Sequence, residues 1–228
     1  MDSSVENKKI VDYWDSVFKD NKSSTINKDT FKDCDDTFYQ SLKFIGDHSS
    51  RVLEIGCADG YSLMYTNLYG KKVCFCLGID TSINAINLAK ETIKLSKLEN
   101  INFELSSNAS LDLINDNSFD GIICSNVLDV LPIEVAKGII INIDRILCPN
   151  GYLFLKFNYY VSEELKSRIK GMVNMGENCY SLNGVLRLHN EPIEYWKKLF
   201  KDYKVIKETE FERIKDGPLD RILILQKK

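Results

Sequence analysis

Histidine is scarce, at His48 and His189 only, and the seven cysteines, at positions 34, 57, 74, 76, 124, 148 and 179, include no C-x-x-C pair. So few and so scattered ligands cannot be written into a zinc constellation, and no metal is expected. An odd number of cysteines, several of them inside apolar strand-like runs, reads as small buried hydrophobes. Long hydrophobic runs are also missing. The longest, such as "GYLFLKFNYY", stop far short of a membrane span, and "MDSSVENKKIVDYW" lacks the apolar core of a signal peptide, so a cytoplasmic location without membrane contact is expected. Lysines and arginines form no run, and the net charge of -3, with a pI near 5.6, offers no surface that would track phosphates. A nucleic-acid partner is therefore not expected.

What is present is patterned. At 228 residues with 44% hydrophobic content, the chain can bury one substantial core, and one domain with appendages is expected. An N-terminal helix, "VENKKIVDYWDSVF", carries Val5, Lys9, Tyr13 and Val17 at helical spacing, with Ile10 and Trp14 beside them. A polar stretch, residues 19–30, separates it from the rest, and a second helix, "DDTFYQSLKFIGD", leads into the strand "RVLEI". Strands and helices then alternate as far as "YLFLKFN", which implies a doubly wound parallel sheet with helices on both faces. Residues from about 159 to 190 form an excursion, read as a helix and a polar, glycine-bearing loop, of the length that lids and binding loops have. A helix, "PIEYWKKLFKD", and two consecutive strands, "YKVIKETEFE" and "DRILILQKK", follow. With no helix between them, these two suggest an antiparallel hairpin closing the sheet edge.

The first strand runs straight into small residues, "RVLEIGCADGYS". A glycine loop at the carboxyl end of a buried strand is where doubly wound sheets collect ligands. A dinucleotide loop requires G-x-G-x-x-G, whereas Gly56, Ala58 and Gly60 give G-x-A-x-G, failing at two of three glycines. Glu54, near the strand end, would also repel a pyrophosphate. It suits an ammonium or a sulfonium better.

At these residues the chain resembles the class I S-adenosylmethionine-dependent methyltransferases, in particular small-molecule enzymes of the type 11/12 kind, whose first motif is E-x-G-x-x-x-G after an apolar strand. Further matches follow in order. The second strand ends "GID", where Asp80 stands for the acid that accepts hydrogen bonds from both ribose hydroxyls, as a carboxylate is able to do. "SSNAS" follows the third strand, with Asn108 and Ala109 placed beside the adenine. "FDGIICSNVLDVLP" resembles the fourth motif, which lines the methionine part of the cofactor, and "DRILCPNGYLFLKFN" the helix, turn and strand after it. The likeness covers roughly residues 48–158. Many small-molecule members have Leu-Glu-His where this chain has Leu128, Asp129 and Val130, so a base role resting on that histidine does not carry over.

The resemblance implies a Rossmann-like fold: a seven-stranded, mostly parallel sheet with an antiparallel C-terminal hairpin. It divides the chain into an N-terminal helix and linker over residues 1–30, covering the cofactor site, and a single methyltransferase domain over 31–228. It also implies S-adenosylmethionine as cofactor, with S-adenosylhomocysteine as product. The expected cofactor contacts are Tyr13, Glu54, Gly56, Cys57, Ala58, Gly60, Tyr61, Asp80, Thr81, Asn108, Ala109, Ser125 and Asn126. No catalytic residue is assigned; Asp129, His189 and Tyr160 are the weak candidates, and Arg187 in the excursion is a conceivable partner for an acidic substrate. Because the cofactor carries the activation, the protein mainly has to supply alignment and desolvation. The expected acceptor is a small molecule and the expected assembly a monomer or homodimer. The alternative is a catalytically silent protein that binds the cofactor for regulation.

Overall fold

The computed structural model describes residues 3–34, 36–106 and 108–228, with backbone only for Ser3, Asn108 and Ala109. In chain order the elements are α1 (Ser3–Phe18), α2 (Thr37–His48), β1 (Arg51–Ile55), α3 (Tyr61–Tyr69), β2 (Phe75–Asp80), α4 (Ile83–Ser96), β3 (Ile101–Leu105), α5 (Asn108–Leu111), β4 (Phe119–Ser125), α6 (Ile133–Ile146) and β5 (Leu147–Phe157). Then come α7 (Glu163–Arg168), β6 (Met172–Gly176), β7 (Cys179–Leu182), β8 (Val185–His189), α8 (Ile193–Leu199), β9 (Tyr203–Glu212) and β10 (Leu219–Lys227). Single 3-10 turns lie at Lys28–Phe31 and Leu128–Val130.

Seven strands form one sheet in the order β3-β2-β1-β4-β5-β10-β9. The first five run parallel, and β10 pairs antiparallel with both β5 and β9. The order reverses at β1, so the loops after β1 and β4 diverge there and leave a crevice at the carboxyl ends of the strands. Strand periodicity assigns the faces. Leu53 and Ile55 pack into the core beneath α1, α6 and α8, while Val52 packs on the opposite side, beneath α2, α3 and α4. Helix starts are fixed by side chains: Asp36 accepts from the Tyr39 amide at 3.0 Å and Ser82 from the Ala85 amide at 3.0 Å, each satisfying a donor that the helix leaves free.

Two local expectations are corrected. The excursion is no helix-and-loop segment: after α7 it forms a separate antiparallel sheet, β6-β7-β8. Its turns, Glu177-Asn178 and Asn183-Gly184, all have positive φ, the geometry that two-residue hairpins demand. In α1 the covered face is also rotated from the Val5–Lys9–Tyr13–Val17 row. Ile10 is 3% exposed, whereas Val5 and Val17 are 51% and 41% exposed, because Asn7, Ile10, Val11, Trp14 and Phe18 are the residues turned to the sheet's crevice. Of the cysteines, 57, 76, 124 and 179 are buried, 34 and 148 are half-buried, and Cys74 is exposed. Among the described residues no helix is long and apolar enough to cross a membrane.

Candidate cofactor cleft

Under α1, at the carboxyl ends of β1, β2 and β4, lies a cleft of about 230 Å³. Its floor is the glycine loop. Gly56 takes a φ of +70°, and the Gly56 and Cys57 amides both donate to the Ile79 carbonyl, at 2.9 and 3.0 Å, which folds the loop back over β2. A side chain at position 56 would collide with Val127, its Cβ only 2.4 Å from a valine methyl. Gly60, at φ +81°, begins α3 with its Cα pressed toward Phe103, whose ring would lie 2.3 Å from an added Cβ. Both positions therefore need glycine for conformation and for space.

Asp80, at the end of β2, is the cleft's carboxylate. One oxygen accepts the Ala58 amide and the other the Ser82 amide, each at 2.8 Å. These two bonds fix the carboxylate plane and leave acceptor capacity on both oxygens, since a carboxylate offers about four acceptor sites. Burial pushes the Asp80 carboxyl above the ordinary carboxylate range, opposed by those amides. Thr81 and Ser106 continue this wall, Ser125 and Asn126 form the wall at the end of β4, and Ile55, Ile79, Leu111, Val130, Leu131 and Ile139 supply apolar surface. The combination suits a ligand with an apolar ring system and a pair of hydroxyls. The donor set thus fits S-adenosylmethionine: Asp80 for the ribose, apolar side chains for the flat base.

Of the expected contacts, Gly56, Ala58, Asp80, Thr81, Ser125 and Asn126 line the cleft together. Five others stand elsewhere. Glu54 is on the opposite face from Ile55, because side chains alternate along a strand. There it is 2% exposed, its carboxyl faces the Leu63 amide at the start of α3, and burial raises its pKa well above the ordinary value. Cys57 is buried, 4% exposed, with its sulfur near Gly78 in the sheet. Gly60 is spent on the α3 start, and the Tyr61 hydroxyl pairs with Ser24 at 3.2 Å. Tyr13 turns away from the cleft, its ring 4.3 Å from the Arg187 guanidinium on β8, while the adjacent Trp14 lines the cleft instead. The side chains of Asn108 and Ala109 lie outside the described residues.

The weak catalytic candidates divide as clearly. Tyr160 is 48% exposed. His189 is buried against Tyr195 and Trp196, and burial lowers its pKa, opposed by Glu191 at 3.5 Å and by the charge of Glu177. Asp129 is fully buried beside the β4 wall; one of its oxygens accepts the Asn158 amide at 2.7 Å and the Asn158 side chain at 3.0 Å, and the other has no partner among the described residues.

Two features have no local sequence signature. Asp15 reaches across from α1 to the start of α4, accepting from the Ser82 hydroxyl at 2.8 Å, the Asn84 amide at 2.9 Å and the Asn84 side chain at 2.8 Å. This latches the roof to the Asp80 wall, and the Asn84 amide first among its partners holds the Asp15 carboxyl below its usual pKa. Behind the β4 wall, Lys156 pairs with Asp220 at 2.7 Å and also donates to the Asn126 side chain. Arg221 donates to the Asn158 and Glu191 carbonyls at 2.9 and 2.7 Å.

Residues 47–208 match the family model of a methyltransferase domain. An uncharacterized protein of Rickettsia prowazekii is 29% identical over 126 residues, 55% of this chain and 49% of that protein, so the chain spans only about half the length of this curated relative. Among solved structures, a SAM-dependent methyltransferase from Aquifex aeolicus superposes with a TM-score of 0.59 at 17% identity, covering 89% of this chain and 99% of that one. Burkholderia thailandensis 1,6-didemethyltoxoflavin-N1-methyltransferase, with bound 1,6-didemethyltoxoflavin and S-adenosylhomocysteine, gives 0.60 at 15% identity, covering 88% and 83%.

Proposed function

The chain belongs to the S-adenosylmethionine-dependent methyltransferases through its methyltransferase domain, and on that premise we propose that it methylates a small-molecule acceptor by in-line displacement. The observation that carries this reading is Asp80: a half-buried carboxylate, braced by two backbone amides, with free acceptor capacity in a largely apolar cleft. Asp80 would hold the ribose hydroxyls, and Ser125 and Asn126 would border the amino-acid end. When bound, S-adenosylmethionine supplies a methyl group already activated by its positive sulfur. The chain's own work is then to align the two reactants and to exclude water. Ile10, Val11, Trp14 and Phe18 of α1 roof the cleft with apolar surface and perform the second task.

The small acceptor is favoured by enclosure. β8 packs against both α1 and the 128–130 turn, which supports reading residues 159–190 as backing for the α1 cover and residues 31–228 as one catalytic domain. A macromolecule would have to displace that cover; a small molecule would not. Asp129, next to Val130 of the cleft lining, is retained as the candidate to receive a proton: burial raises its pKa, and one oxygen has no partner among the described residues. Transfer of radiolabel from methyl-labelled S-adenosylmethionine, screened over small amines, phenols, thiols and carboxylic acids, tests the proposal. Label appearing in a small product supports it; label appearing only in RNA or protein supplied in parallel contradicts the small acceptor.

A further inference from the structure

Asn126 stands at the end of β4 with a φ of +54°, a left-handed conformation that asparagine tolerates better than most residues. Its backbone amide donates to the Lys156 carbonyl at 2.9 Å, and its side-chain oxygen accepts from the Lys156 ammonium. Lys156 is 4% exposed and in turn pairs with Asp220, 1% exposed, at 2.7 Å. An ammonium donates and cannot accept. It therefore fixes which end of the Asn126 amide turns toward it, and the NH₂ group is left on the other side. That nitrogen is covered and has no acceptor among the described residues, although Asn126 belongs to the cleft wall. A covered donor without a partner among the described residues is costly, and its retention beside a ligand cleft is what the proposal below accounts for.

Resting on the cofactor reading above, we propose that Lys156 and Asp220 are a positioning pair that orients Asn126 so that its side-chain N–H donates to the α-carboxylate of the bound cofactor. The sheet order supports this end of the ligand. Asp80 lies on β2, on one side of the glycine loop, and Asn126 on β4, on the other, so a nucleoside anchored at Asp80 leaves its amino-acid extension for the β4 side. Of the two charged groups on that extension, only the carboxylate accepts a hydrogen bond. Lys156 touches Asn126, and Asp220 touches Lys156; the pair acts on the ligand only through Asn126, which makes its role indirect.

The test is calorimetry with two ligands: S-adenosylhomocysteine, and 5′-methylthioadenosine, which has the nucleoside and sulfur without the amino acid. Asn126→Gly keeps the left-handed turn unstrained and removes the amide. The paired change Lys156→Met with Asp220→Asn removes the orienting charge without stranding its partner. Both variants are expected to bind S-adenosylhomocysteine about tenfold more weakly, the range for one hydrogen bond to a charged group, and to bind 5′-methylthioadenosine within about twofold of wild type. Equal loss for both ligands, or no loss for S-adenosylhomocysteine, overturns the proposal while leaving the cofactor reading intact. If the paired variant fails to fold, Asn126→Gly and Lys156→Arg, which retains a donor and is expected to retain affinity, decide the matter. Wild-type protein that binds neither ligand overturns the cofactor reading and this inference together.

Discussion

The cleft's two walls are built on opposite plans. On the β2 side, everything is local: Asp80, two residues beyond it Ser82, and the Ala58 amide from the glycine loop satisfy one another through backbone bonds at 2.8 Å. On the β4 side, the wall is held from behind by side chains drawn from residues 156, 158, 220 and 221, and it contains covered polar atoms on Asn126, Asp129 and Arg221 that find no partner among the described residues. The first wall is finished without a ligand; the second is not. A wall braced by backbone keeps its shape whatever binds, whereas one braced by buried charges depends on each charge retaining its partner.

The largest effect should come from breaking that dependence. Lys156→Met leaves Asp220 buried with only the Tyr159 amide at 3.1 Å and the Arg213 side chain at 3.6 Å to face it, and is expected to cost about 3 kcal/mol of stability in chemical denaturation, most of it restored when Asp220→Asn is added. If the single change costs less than about 1 kcal/mol, below the usual loss for one buried hydrogen-bond partner, the two walls do not differ as described. Next in size is Gly60→Ala, where a positive φ and the nearby Phe103 ring combine to cost about 2 kcal/mol or more; an unchanged melting curve would contradict the tight packing of the loop. Asp80→Ala sharpens the contrast from the other direction. It should weaken S-adenosylhomocysteine binding by at least about tenfold while costing only about 1–2 kcal/mol of stability, because it removes ligand contacts and two bonds to backbone amides rather than one member of a buried ion pair.

The smallest effect concerns the roof. Asp15 is a carboxylate whose folded pKa is lowered from the ordinary 3.8. Its stabilising contribution is therefore fully present above that value and is lost as the pH falls through the depressed folded value. Asp15→Asn should speed S-adenosylhomocysteine dissociation about two- to fivefold at neutral pH, as expected for a solvated latch, and should flatten the rise in dissociation rate seen for wild type in acid. Identical rates for the two proteins would remove the latch.

The same contrast explains what the sequence made legible. The β2 wall was readable because its parts are adjacent: an apolar strand, a glycine loop, a second strand ending in Asp80. Glu54 was assigned to the ligand by that same motif, yet its place one residue before Ile55 puts it on the far face of β1, a consequence of strand alternation that the motif alone does not display. The small sheet in the excursion had a signal in Asn183-Gly184 between "CYSL" and "VLRLH", the pattern of a two-residue hairpin. The β4 wall had none. Lys156 sits in the apolar run "YLFLKFN" and Asp220 opens the terminal strand, and only the antiparallel pairing of β5 with β10 brings them together. The rotation of α1 was equally unreadable, since Tyr13 and Trp14 are neighbours and both rings meet Arg187 of β8, a contact between segments far apart in sequence.

Titration calorimetry of S-adenosylmethionine and S-adenosylhomocysteine into wild-type protein, with NADH as the control ligand, tests the central claim most directly. Binding of both adenosyl ligands with a dissociation constant near 1 μM, about -8 kcal/mol, with no heat from NADH, is the result predicted from the Asp80 cleft. Folded protein that binds NADH and neither adenosyl ligand would contradict it.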